Sequence, residues 1–214
     1  MDIEFFGANC VRLKTKEAVI TIDDNLSKIG GKTVVDGSSV LMYTNRLLVD
    51  ENANEKARLL IDTAGEFEVG DVTVRGEQTR SHLDEDGTES ATVLQFMMNN
   101  QTVTVLGHVH PDLSKAVVEL IGGTDVLVIP VGGNGYTLDG VAATSIIKKA
   151  EPAVVVPTYY EDNTLTYEVP AQPLSEFLKI SSLQSEEPID MLRLGKNLDI
   201  ESTQTKIVLL NRKK

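Results

Sequence analysis

Two uninterrupted apolar runs set the strongest limit on this fold. Asp125 leads into Val126-Leu127-Val128-Ile129 and the run stops at Pro130; Ala153-Val154-Val155-Val156 stops at Pro157. A strand with no polar position has to be covered on both faces, so each run reads as a buried strand. Segments of helical spacing lie around them. Asp112–Ile121 places Leu113, Ala116, Val117, Leu120 and Ile121 on one side, with Asp112 near its start and Gly122-Gly123 as its stop. Tyr136–Ala150 predicts a second helix, capped by Thr137 or Asp139 and closed before Pro152. This strand and helix alternation requires a sheet with helices outside it.

The chain before residue 107 is richer in strands. Asp2–Phe6, Cys10–Thr15, Ala18–Asp23, Ser39–Thr44, Arg58–Asp62, Glu66–Val69 and Val72–Arg75 are short apolar or alternating runs. Gly7-Ala8-Asn9, Gly65 and Gly70-Asp71 supply turn chemistry between them. Ala91–Met98 and Gln101–Leu106 flank Asn99-Asn100, which reads as a two-residue hairpin turn because Asn tolerates positive φ. A short helix around Leu174–Leu178 and strands near Met191–Leu194 and Lys206–Leu210 complete the chain. No repeat or linker interrupts its 214 residues, so a single domain over 1–214 is expected.

Acidic residues outnumber basic ones 32 to 20, a formal charge of −12. That sign repels phosphates and anionic lipids, and the one Lys/Arg cluster is Arg212-Lys213-Lys214, so neither nucleic acid nor membrane is an expected partner. Tryptophan is absent, which disfavours stacking platforms. Cys10 is the single cysteine and reads as an inert, packed thiol; with no secretion signal at Met1-Asp2-Ile3-Glu4, a cytoplasmic location is expected.

Chemistry concentrates in "TVTVLGHVHPDLS", residues 102–114. His108 and His110 are two of three histidines, and i and i+2 share a face in an extended strand. With His82 they would offer three imidazoles to one metal, zinc or manganese; Pro111 favours a turn that opposes this. "PVGGNGYTLD", residues 130–139, is a glycine-rich loop opening a helix. It either receives an anion at Gly132 and Gly133 or simply needs glycine for its turn. Alternation puts Glu66 and Glu68 on the face opposite Phe67 and Val69, as solvated carboxylates.

Together "IEFFGANCVRLKTKEAVITIDD", "TAGEFEVGDVTVRG", "VLGHVH", "DVLVIPVGGNGYTLDGVAA" and "AVVVPTYY" resemble the metallo-β-lactamase fold. The likeness is to the branch of metal-dependent hydrolases that includes L-ascorbate-6-phosphate lactonase-like proteins. It implies an α/β fold, an αβ/βα sandwich of two mixed sheets with outer helices and a metal cleft at one edge. The family's His-x-His-x-Asp-His motif should follow the strand at Ser39–Met42, where this chain reads "SSVLMYTNRLLVDENANEK" and holds no histidine before His82. On this mapping His82 matches a family histidine, His108 stands at the family's bridging Asp, and Tyr159 stands at its last His. Asp23 or Asp24 matches an Asp that supports the first metal motif from behind, and with the motif gone a turn role is expected of it.

Two functions follow. One is a non-catalytic binding protein or scaffold with no cofactor, its inherited cleft formed by Asp24, Tyr43, Asn45, Gly132, Gly133 and Tyr159 and open to a small anionic ligand. The alternative is a metal-dependent hydrolase of a lactone, ester or phosphoester rebuilt on His82, His108 and His110, with His108 catalytic. A homo-oligomer is compatible with either. Nearby carboxylates are expected to raise the pKa of His82. Leu47, Leu48 and Val49 are expected to pack over the former metal position.

Overall fold

A computed structural model describes residues 1–195 and 204–213; Lys214 of the terminal basic cluster lies outside them. The first sheet contains β1 (Asp2–Gly7), β2 (Cys10–Lys14), β3 (Val19–Ile22), β4 (Val40–Met42), β5 (Leu59–Ile61) and β12 (Leu192–Arg193), in the order β12-β1-β2-β3-β4-β5. The second contains β6 (Gly65–Val69), β7 (Val72–Thr79), β8 (Ala91–Met98), β9 (Gln101–Val105), β10 (Val126–Pro130), β11 (Val154–Thr158) and β13 (Lys206–Ile207), in the order β13-β11-β10-β9-β8-β7-β6. Both are mixed. β3, β4 and β5 run parallel, as do β9, β10, β11 and β13, and the remaining pairings are antiparallel.

The sheets face each other across one apolar layer. Ile3, Val11, Leu13, Ile20 and Met42 of the first meet Val74, Leu94, Phe96, Val103, Val128 and Val156 of the second. The odd positions of β10 serve the other face: Leu127 and Ile129 pack beneath α2 (Lys115–Ile121), α3 (Gly140–Ala150) and α4 (Leu174–Ser181). Two covered faces explain the unbroken apolar runs. The outer face of the first sheet carries a smaller cluster of Val35, Leu41, Tyr43 and Ala53, the last from α1 (Glu51–Asn54). The result is the expected αβ/βα sandwich. Among the described residues no helix is long and apolar enough to cross a membrane.

Local chemistry accounts for the turns. Asn99 and Asn100 adopt φ of 50° and 60°, the left-handed pair of a tight hairpin. Asp139 is the cap of α3: its carboxylate accepts from the Ala142 N–H at 2.8 Å, and the helix begins at Gly140 rather than Tyr136. Similarly, α2 starts later than expected, because Ser114 caps it by accepting from the Val117 N–H at 3.2 Å. Asp112 donates its own N–H to His110 instead, at 3.1 Å. Strand β7 continues past Arg75 because Gly76 lets the chain approach Ala64 and Thr92, whose atoms lie 3.2 Å from where a Cβ would sit.

Candidate functional site

At the ends of β9, β10 and β11 the chain leaves the second sheet in three loops, and His108, Tyr136 and Tyr159 come from one each. The region 106–111 is not strand. Val109 N–H donates to the Gly107 carbonyl at 2.9 Å and His110 N–H to the Arg80 carbonyl at 2.8 Å. Strand alternation therefore ends before the histidines, and the shared face expected of His108 and His110 does not form. His110 turns to His82, with ring centroids 5.4 Å apart. His108 turns inward and is 4% exposed.

The buried imidazole meets tyrosines. Its ring lies edge-on to Tyr136 at 4.8 Å and to Tyr159 at 5.2 Å, and Tyr159 also packs against Tyr167 at 4.8 Å. Burial pulls the His108 pKa down to about 4; a hydrogen bond to the Tyr136 backbone opposes this, and the charge of His82 adds slightly to it. His108 is thus a neutral ring near pH 7. The phenols of Tyr136, Tyr159 and Tyr167 are all pushed up by burial. Tyr159 has φ of 49°, a left-handed conformation unusual for a bulky residue, held by its N–H donating to the Ala8 carbonyl at 2.8 Å. A cavity of about 320 Å³ opens beside these rings, walled by Lys28, His108, Tyr136, Tyr159, Tyr167 and Glu168 among others.

The other residues of the expected cleft lie outside that wall. Asp23 is 1% exposed and its carboxylate accepts from the N–H and hydroxyl of Thr44 at 2.7 and 2.5 Å. Desolvation raises its pKa to about 6 despite those bonds. Asp24 accepts from the N–H groups of Val34 and Val35 at 2.7 and 2.8 Å, so the acidic pair does pin turns. Tyr43 donates its hydroxyl to the Asp24 carbonyl and accepts from the Asp50 N–H, each at 3.0 Å. Asn45 caps a short turn of helix, Arg46–Leu48, by accepting from the Leu47 N–H at 2.9 Å. Gly132 allows close passage of Tyr159, whose carbonyl oxygen would lie 1.9 Å from an added Cβ, and Gly133 has φ of 51°. Both glycines are needed by the turn, and the N-terminus of α3 already holds the Asp139 carboxylate.

Two expectations are corrected here. Leu47 is 67% exposed and covers nothing; Leu48 joins the cavity wall, and Val49 packs with Val35, Leu41 and Tyr43 instead. The pKa of His82 is lowered, because burial outweighs its hydrogen bond to the Val109 carbonyl and the charge of Asp139. Cys10 is buried and its thiol pushed up by burial, as expected of an inert group. Tyr167 and Glu168 gave no motif; the only signal was that four of the five tyrosines fall between residues 136 and 167.

Two facing mixed sheets, outer helices and a cleft where the strands of the second sheet end define a metallo-β-lactamase-type sandwich. Residues 2–159 match the family described as Beta-lactamase superfamily domain, and the chain belongs to that superfamily. It is similar to a candidate Zn-dependent hydrolase of the metallo-beta-lactamase superfamily from Thermotoga maritima, at 24% identity over 98% of this chain and 97% of that one, with a TM-score of 0.72. It is also similar to Igni18, a metallo hydrolase from the archaeon Ignicoccus hospitalis, at 15% identity over 100% and 96% of the two chains and a TM-score of 0.62. An isothiocyanate hydrolase from Delia radicum gut bacteria matches at 12% identity over 100% and 97%, with a TM-score of 0.63. At these identities the likeness shows the fold. Among curated proteins no relative matches the chain significantly.

The metal implied by the family is not matched by the donors present. Among the described residues no group of three or more His, Cys, Asp or Glu is gathered as a metal ion requires. Thr44 donates its hydroxyl to Asp23, Asn45 uses its side-chain oxygen as a cap, and the Asp50 carboxylate accepts from Ser27 and Asn52. Hydroxyl and amide oxygens are in any case poor zinc ligands.

Proposed function

We propose that this chain is a non-catalytic binding member of the superfamily, derived from the lactonase-like branch, with the tyrosine-lined cavity as its ligand site. One observation carries the reading: the His108 imidazole is packed edge-on by Tyr136 and Tyr159. A histidine so enclosed is a shape and hydrogen-bonding element. The tyrosines supply aromatic faces and hydroxyls, and about 320 Å³ is room for a small organic molecule. The left-handed Tyr159 backbone supports the same reading, since unusual conformations of bulky residues persist where they hold a side chain in a required place. Without a metal-activated water, hydrolysis near pH 7 lacks its usual nucleophile in this fold.

The alternative is a hydrolase rebuilt on His82, His108 and His110, and the 5.4 Å contact of His82 with His110 is what favours it. Metal analysis of the purified chain, followed by zinc and manganese titration with and without His108→Ala, separates the two. The binding reading expects less than one metal per chain and no difference between the proteins. Stoichiometric metal that is lost in His108→Ala and is needed to hydrolyse a lactone or ester would overturn it.

A further inference from the structure

We infer that a second pocket, formed by the outer end of the β1–β2 hairpin, the 30–34 loop and the 212–213 segment, binds small anions that carry an apolar body. The pocket encloses about 530 Å³ and shares no wall residue with the tyrosine cavity. Four cationic side chains line it, Arg12, Lys32, Arg212 and Lys213, and among the described residues no carboxylate does. In a chain of net charge −12 that concentration runs against the overall sign.

The balance of these charges favours a ligand. Arg212 is paired with Asp162 at 3.3 Å and Lys213 with Glu4, so those two are largely neutralised. Arg12 and Lys32 have no carboxylate partner among the described residues, although Asp36 lies close enough to Arg12 for its carboxyl to be held below the usual range, chiefly by its bonds to Ser38. Arg12 is held in place. Its guanidinium carbon lies 4.8 Å from the Phe6 ring centroid, its Nε donates to Thr21 at 3.3 Å, and a terminal nitrogen donates to the Val34 carbonyl. Of five guanidinium donors two are thus committed, and the rest remain for an oxyanion. Phe6, Leu26 and Leu165 provide the apolar surface. An immobilised guanidinium over an aromatic ring, an exposed ammonium and an apolar surface suit a carboxylate, sulfonate or phosphate attached to a hydrophobic group.

The test uses the whole protein and two fluorescent probes of the same shape, 8-anilinonaphthalene-1-sulfonate and the uncharged N-phenyl-1-naphthylamine. The pocket predicts saturable one-site binding of the sulfonate that weakens with added salt, and at least about tenfold weaker binding of the neutral probe. Lys32→Gln weakens the sulfonate several-fold, Lys32→Glu more, and Arg12→Gln by about tenfold or beyond. Lys32 is exposed, so its variants keep the fold even where Arg12→Gln does not. Equal affinity for the two probes, unchanged affinity in a folded Lys32→Glu protein, or loss of the sulfonate only in Tyr159→Ala would each overturn the inference; the last would place the probe in the tyrosine cavity.

Discussion

The imidazole of His108 stands edge-on to the ring of Tyr159, with centroids 5.2 Å apart and planes 79° from parallel. The position that the family resemblance maps to a bridging carboxylate thus holds a neutral ring against a phenol. The same contact links the loops after β9 and β11, so it is part of the packing as well as of the cavity.

Acid should act on the protein through this histidine. A folded pKa of about 4, against an ordinary 6.5, means that His108 contributes stability above about pH 6.5 and loses it as pH falls toward 4. The full loss is roughly 3 kcal/mol, at about 1.4 kcal/mol for each pH unit. His108→Phe removes this loss, and denaturant titrations across that window should show the variant gaining on the parent as pH falls. Parallel curves would refute the assignment.

Asp23 has the opposite sign. Its carboxyl titrates at about 6 instead of 3.8, so its favourable contribution is complete below about pH 3.8 and is lost as pH rises through 6. The raised pKa of Asp24 acts in the same direction. Asp23→Asn keeps an acceptor for the Thr44 N–H and suits the left-handed φ of 55° at this position. The variant is expected to be more stable than the parent at pH 8 by about 1–3 kcal/mol and to lose that advantage near pH 4. Chemical denaturation at the two pH values measures it.

Gly107 passes directly over Thr44. A Cβ at Gly107 would lie 1.6 Å from the Thr44 hydroxyl oxygen and 2.3 Å from its Cβ. Gly107→Ala should therefore cost about 3 kcal/mol or more, beyond ordinary overpacking because both groups are bonded in place. Adding Thr44→Gly should recover part of it, and a double-mutant cycle by thermal unfolding gives the coupling.

Chelation is expected to leave the protein unchanged. Dialysis against EDTA should shift the melting midpoint by less than about 1 °C, because the described residues gather no ligand set that would link metal binding to folding. A fall of several degrees, restored by zinc, would point to the His82 and His110 pair.

The β8–β9 turn can be improved. Asn99 and Asn100 both have positive φ, and glycine is the preferred second residue of such a turn. Asn100→Gly removes the Cβ crowding of the left-handed region, partly offset by glycine's greater freedom in the unfolded chain, and should stabilise by about 0.5 kcal/mol, read as a rise in the denaturation midpoint with an unchanged slope.

Local chemistry made much of this protein readable from its residues alone. The unbroken runs at 126–129 and 153–156 announced strands covered on both faces, Asn99-Asn100 announced its hairpin, and the α3 cap was narrowed to Thr137 or Asp139, of which the fold uses Asp139, because each depends on neighbours a few positions away. The absence of histidine before His82 likewise needed no coordinates. What the histidines do was a tertiary matter. Their spacing promised a shared face, but the backbone beyond Val105 bonds to Gly107 and Arg80 and rotates His108 away from His110. Leu47 read as a cover for the cleft and faces solvent, because the Asn45 cap turns the chain first. The tyrosine cavity and the basic pocket join residues more than a hundred positions apart, and such contacts are decided only when the two sheets close on their common core.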